Sequence, residues 1–355
     1  MKMIRGEQLD CIDEMWVDDL RDGIWPRSLA VSMAAFYLAM FILRPWEKLI
    51  PELATVHFER WCAILMIAVV VLGGRFRVRL DFAAISVLLV TAAFCCSGLL
   101  VRGFSVPYVF VTLVAFYFIL YAVIRSPYEL LWIVAFYLVT MGIYLSKSLW
   151  EYFIHGAGIT EMGVRRLQGM DMTYSNDNAL AASVVYSLPI LWFFYNVRAE
   201  FCATWPDFWR KWFVRGLAGY AVLAAVSVML TRSRMGVVGL IAFMVLLAMR
   251  KGSAVGKLAS VASIVLVCIC TYFVVPADIQ GRLQTMWKPV DVSDASDRSA
   301  HASAEGRLAG LKAGIIMFKQ HPIFGVGLDN FASYRVAHVD GEGLDAHNLE
   351  GALLG

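Results

Sequence analysis

Apolar runs long enough to cross a lipid bilayer recur along this chain, separated by short segments where arginine and lysine collect. This alternation restricts the fold more than any other feature. The runs are continuous rather than alternating residue by residue, which excludes a β-barrel, and a helix needs about 20 mostly apolar residues to cover the hydrocarbon core. We read nine spans, at about 28–43, 58–73, 82–101, 106–124, 128–149, 179–197, 212–231, 235–250 and 257–275. The expected fold class is all-α: a polytopic transmembrane helical bundle of about nine or more spans with a long helical loop subdomain on its outer face. Composition agrees, since 60% of the 355 residues are hydrophobic and 17% are charged, proportions that an ordinary soluble domain of this size does not show.

Charge distribution sets the orientation. The first 27 residues are mixed in charge and hold no apolar core of a signal peptide, so they read as a mature cytoplasmic segment. With that end inside, the basic groups Arg75, Arg77 and Arg79, then Arg198, Arg210, Lys211 and Arg215, then Arg250, Lys251 and Lys257 all fall on the inner side, as the excess of Lys and Arg in cytoplasmic loops requires. Segments 44–57, 102–105, 150–178, 231–235 and 276–348 then lie outside.

The expected organisation is a cytoplasmic segment over 1–27, a membrane bundle over 28–275 with an outer loop at 150–178, and a large periplasmic loop subdomain over 276–348. Residues 349–355, in "HNLEGALLG", read as the start of a further apolar helix. Cys62, Cys95, Cys96, Cys268 and Cys270 lie in apolar runs, Cys11 and Cys202 in inner segments, and the outer loops contain none, so no disulfide is expected.

In "MLTRSRMG" (229–236), Arg232 and Arg234 stand at an outer turn, where the inside bias does not call for them. Two readings are open: the side chains snorkel to outer headgroups, or they hold an anion. Loop 150–178 supplies further polar groups in "VRRLQGMDMTYSNDN", with Arg165, Arg166, Asp171, Asn176, Asp177 and Asn178 just before a helix. Guanidinium forks match phosphate oxygens, and helix N-termini add N–H donors, so a pyrophosphate would suit such a set.

All six histidines, His57, His155, His301, His321, His338 and His347, fall in outer segments. No pair has the i, i+4 spacing with an acidic partner that a zinc helix needs, so no metal is expected. His347 stands apart in "DAHNLEG", where the large loop meets the membrane. It would either accept a proton from an attacking hydroxyl or cap backbone groups beside Asn348. Walker, nucleophile-elbow, Cys-x-x-Cys and dinucleotide patterns are missing, and Gly325 and Gly327 are turn glycines. No cofactor and no nucleic-acid partner is expected.

These pieces resemble the O-antigen ligase and polymerase superfamily of bacterial envelope glycan enzymes. The matching stretches run from "LRPWEKLIPEL" (43–53) through "RRLQG" (165–169), "NDNALA" (176–181), "TRSRMG" (231–236) and "SAEGRLAGLKAGIIMFKQHPIFGVGLDNF" (303–331) to "AHN" (346–348). The resemblance implies a multi-pass protein of the bacterial inner membrane with its active site facing the periplasm. It also implies an inverting, metal-independent glycosyltransferase whose partners are an undecaprenyl-pyrophosphate-linked glycan, an acceptor such as lipid A core, and membrane lipids. By the same resemblance Arg166, Arg232, Arg234 and Arg307 would bind the pyrophosphate and His347 would activate the acceptor, with Gly169, Asn178 and Asn348 supporting. Glycan polymerases and protein O-oligosaccharyltransferases share these features. A lipid-linked glycan transporter is a more distant alternative, though inverted repeats and charged residues at mid-bilayer are not seen.

Overall fold

The computed structural model describes residues 28–48, 50–74, 80–102, 108–161, 164–169, 174, 176–250, 255–256, 295–327 and 330–346. It divides into two compact units, the first formed by Met1–Phe76 with Val123–Gln280 and the second by Arg77–Ala122 with Gly281–Gly355. The second unit thus groups 281–355 with two earlier helices, a pairing of distant stretches that periodicity cannot reveal.

In chain order the helices are α1 Leu29–Leu43, α2 Pro45–Lys48, α3 Glu52–Thr55, α4 Phe58–Leu72, α5 Phe82–Arg102, α6 Tyr108–Val123 and α7 Pro127–Ile154. After a hairpin of β1 Ile159–Glu161 and β2 Val164–Arg166 come α8 Asp177–Phe201, α9 Asp207–Thr231, α10 Arg234–Met249, α11 Ala295–Gln320 and α12 Phe331–His338. Eight of the nine expected spans coincide with α1 and α4–α10. The ninth, 257–275, lies outside the described residues, as do 1–27 and 349–355.

Among the described residues three helices, α7, α8 and α9, are long and apolar enough to cross a membrane. Four other apolar stretches, Leu29–Leu43, Phe82–Ser97, Phe110–Val123 and Arg234–Met249, are shorter. A 15-residue helix rises about 22 Å, less than the hydrocarbon core of about 30 Å. The expectation of nine full spans is thus met in length by three, and the antiparallel β1–β2 hairpin, paired Ile159 to Arg166, departs from an entirely helical chain.

Boundaries also move outward from the apolar runs. The α7 helix continues to Ile154 and α9 starts at Asp207, because polar residues extend a helix once its apolar part is nucleated and packed. The start of α7 is set by a capping arrangement in "RSPYE". The Ser126 hydroxyl accepts from Glu129 N (3.2 Å) and the Glu129 carboxylate accepts from Arg125 N (2.8 Å), with Pro127 at the first helical position.

The core of the first unit is built by α7, α8 and α9, with Met141, Tyr144, Leu145, Leu180, Val184, Phe194 and Val228 buried. Lipid-facing positions on the same helices, such as Val139, Tyr186 and Val222, stay exposed, which a bilayer rather than water would cover. Tyr220 on α9 donates to Ser187 Oγ on α8 at 2.6 Å. Small residues let α10 approach α8: a Cβ on Gly236 would lie 2.7 Å from Ala181 Cβ, and one on Gly239 would lie 3.0 Å from Val185 Cγ1. Close backbone approach at small residues is how helices associate in lipid, where apolar burial gains nothing.

In the second unit Asp81 caps α5 by accepting from Ala84 N at 2.8 Å, and it also accepts from Tyr121 Oη of α6. A small core of Ala313, Met317, Val326, Phe331 and Ala346 holds α11 and α12 together.

Candidate functional site

The α9–α10 turn is two residues long. Arg232 ends α9 in the left-handed conformation at φ 54°, a region that costs a non-glycine residue about 1–2 kcal/mol. Ser233 is almost fully buried and begins α10, its hydroxyl accepting from Gly236 N at 3.3 Å and donating to Asn178 Oδ1 at 2.6 Å. Ser233 N in turn donates to Thr231 Oγ1 at 3.3 Å. The serine anchors the turn to the start of α8. Arg232 and Arg234, both half-buried, therefore flank a fixed point.

The loop between α7 and α8 closes against this turn. Leu167 N donates to Leu230 O at 2.9 Å, satisfying a carbonyl that the end of α9 leaves unpaired. Gly169 N donates to Tyr174 O at 2.7 Å, and a Cβ at Gly169 would meet Tyr144 Oη at 2.2 Å and Tyr174 O at 2.3 Å. Only glycine fits there.

The two loop arginines are committed locally. Arg165 lies over the Tyr152 ring at 3.9 Å and donates to Tyr152 O at 2.7 Å. Arg166 is 5% exposed and pairs with Asp177 at 3.0 Å. Asp177 occupies the first turn of α8, whose Asn176 cap accepts from Asn178 N at 2.8 Å, so its charge also suits the helix dipole. Of the residues expected to serve a site, Arg166, Gly169, Asn178, Arg232 and Arg234 thus meet on the first unit, with Asp177 and Ser233 added as the groups that hold them. Ser233 was detectable as the serine two residues after Thr231 and one before Arg234, a cap position at the start of an apolar run.

The remaining candidates belong to the second unit. Arg307 is exposed on α11. His347 and Asn348 lie outside the described residues, which reach Ala346. A Cβ on Gly310 of α11 would fall 2.3 Å from Ala346 O, so glycine is what lets the chain pass against the helix there. Other histidines serve packing: His321 Nε2 is 2.9 Å from Tyr334 Oη, and His338 stacks on Tyr334 at 4.4 Å. Among the described residues no group of three His, Cys, Asp or Glu side chains is placed to hold a metal ion.

An apolar helical bundle whose α9–α10 turn is tied to α8 through Ser233 and Asn178 is the architecture of a helical membrane protein. Residues 219–350 match the family described as O-antigen ligase, and the resemblance read from the motifs to that superfamily of ligase- and polymerase-type membrane glycan enzymes holds. The matched segment includes Arg232, Arg234, Arg307, His347 and Asn348, whereas Arg166, Gly169 and Asn178 precede it. No curated protein and no solved structure matches the chain.

The left-handed backbone at Arg232 separates structure from chemistry. Arg232→Gly is expected to be about 1 kcal/mol more stable than Arg232→Ala, since glycine enters this region freely. Thermal unfolding of the two detergent-purified variants measures this, and equal midpoints would mean that the left-handed backbone carries no cost here.

Proposed function

We propose that this protein transfers a glycan from undecaprenyl pyrophosphate to an acceptor hydroxyl of lipid A core, at the periplasmic face of the bacterial inner membrane, with inversion. The observation that carries the reading is the Arg232-Ser233-Arg234 turn, which sets two permanent cations at a fixed point within the segment that matches the ligase family. Oriented cations at a low-dielectric site stabilise charge growing on a departing pyrophosphate, and removing one such donor typically costs about 10²- to 10³-fold in rate.

The acceptor oxygen attacks the anomeric carbon as the bond from that carbon to the pyrophosphate oxygen breaks. The bonding pair leaves with undecaprenyl pyrophosphate, and the acceptor proton passes to neutral His347, a role worth about 10²- to 10⁴-fold. Arg307 adds positive charge, and Asn348 supports His347. Arg166 acts from its buried position beside Asp177, and Arg232 and Arg234 bind the anion from the α9–α10 turn. Asn178 and Gly169 support the site by holding the turn and the loop. No metal or nucleotide takes part.

The test is transfer by the full-length natural protein in liposomes containing the lipid-linked glycan, with and without lipid A core. Product that needs core, with rate losses of about 10²-fold or more in Arg234→Ala and His347→Ala, is the expected result. Lengthened lipid-linked glycan without core would make the protein a polymerase. Transfer to a polypeptide would make it a protein glycosylase, and donor binding without any product would favour transport. A retained anomeric configuration would rule out the single displacement.

A further inference from the structure

Arg335 is the most completely enclosed charged residue among those described, at 0% exposure. From α12 its Nε donates to both carboxylate oxygens of Asp340, at 2.9 and 3.0 Å. One Nη donates to Asp340 Oδ2 at 2.7 Å and to Glu342 Oε2 at 2.6 Å. The other reaches Leu344 O at 3.2 Å. The residue's own carbonyl accepts from the backbone N–H groups of Val339, Asp340 and Gly341.

Every one of these partners lies in the nine residues that follow, so a single side chain and its carbonyl wrap the segment 339–344 around themselves. Two carboxylates more than neutralise the guanidinium, and nothing of it faces outward. Arg335 is therefore unsuited to bind a pyrophosphate. Asp340 is held below the usual carboxylate range chiefly by its hydrogen bonds from Arg335, so the pair is ionised at neutral pH and comes apart only in acid, as the pH falls through that lowered value.

The segment leads somewhere specific. Leu344, whose carbonyl Arg335 holds, is three residues before His347. Ala346 is 2% exposed, belongs to the α11–α12 core, and sits against Gly310. The chain is thus pinned at 340, 342, 344 and 346 immediately before the histidine.

We infer that Arg335 is a positioning residue for the transfer reaction, its clasp on Asp340, Glu342 and Leu344 fixing the chain that delivers His347 to the acceptor. The inference rests on the role proposed for His347. Lysine keeps the charge but lacks the planar fork that serves several acceptors at once, so Arg335→Lys loosens the segment without leaving two carboxylates beside an apolar residue. Asp340→Asn weakens the clasp from the other side.

The experiment uses the reconstituted full-length protein with the lipid-linked glycan and lipid A core, and follows hydrogen exchange over 339–346. The expected result for Arg335→Lys and Asp340→Asn is faster exchange in that segment, a donor KM within about 2-fold of the parent, and a kcat lowered about 10-fold or more. Misplacement by a remote change costs up to about 10²-fold. In a His347→Ala background, Arg335→Lys should lower kcat no further, because groups acting through one another are not additive. An equal further loss in that background would show that Arg335 acts by another route and overturn the inference. A parent-like kcat in Arg335→Lys, while His347→Ala is inactive, overturns the clasp alone. A fully active His347→Ala overturns the histidine's role and the clasp with it.

Discussion

Asp177→Leu is expected to lower the thermal midpoint of the purified protein by on the order of 10 °C, one of the largest effects of any single substitution here. Asp177 is 6% exposed and holds Arg166, itself 5% exposed, at 3.0 Å. Removing one partner of a buried pair leaves an uncompensated charge and costs about 3–5 kcal/mol, and in a unit of about 150–250 residues each kcal/mol moves the midpoint by about 2–4 °C. The double variant Arg166→Met/Asp177→Leu removes both charges and should regain most of that stability, since an apolar replacement of a buried pair is often neutral or better. Transfer activity then divides the roles of Arg166. A stable but inactive double variant would show that its charge is used on the donor. A stable and active one would show that the arginine only ties the outer loop to α8. A single variant that melts with the parent would refute the energetic account of the pair.

Gly236→Leu is expected to be damaging by a different route. A Cβ at this position would lie 2.7 Å from Ala181 Cβ and 3.3 Å from Val228 Cγ1, so leucine cannot be accepted unless α10 moves away from α8 and α9. Overpacking of this kind costs about 1–3 kcal/mol, occasionally more. The displacement would also pull Ser233 from Asn178, now 2.6 Å apart, and carry Arg232 and Arg234 with it. Folded yield and thermal midpoint should fall, and transfer should fall further than stability alone explains. Moving the methyl across the seam, in Ala181→Gly/Gly236→Ala, should restore both. Parent-like melting of Gly236→Leu would mean that the two helices are not in contact at this point.

Much of the helical layout was legible because each bilayer-facing helix must be apolar along its own length, a local property. The runs at 128–149, 179–197 and 212–231 appear as α7, α8 and α9, extended at their ends by polar residues. Their caps are legible too: "RSPYE" and Ser233 carry the residue types that satisfy a helix start. Among the candidate site residues, Arg232 and Arg234 stood out because permanent charge between two apolar runs has no packing explanation. Arg335 did not, because an arginine on a short mixed helix looks like an ordinary solvated one. Its burial depends on Asp340 and Glu342 folding back over it.

The sequence by itself determined that this chain is a helical membrane protein with cationic groups at the ends of its helices, and its motifs led to the ligase-type glycan enzymes. Hydropathy, charge sign and short motifs are carried by neighbouring residues, so they survive without coordinates. Only the tertiary structure decided which arginines are already committed. Arg166 is taken by Asp177 and Arg335 by Asp340 and Glu342. A guanidinium's availability depends on which carboxylates folding brings within about 3 Å, and its residue type and place in the chain do not reveal that distance.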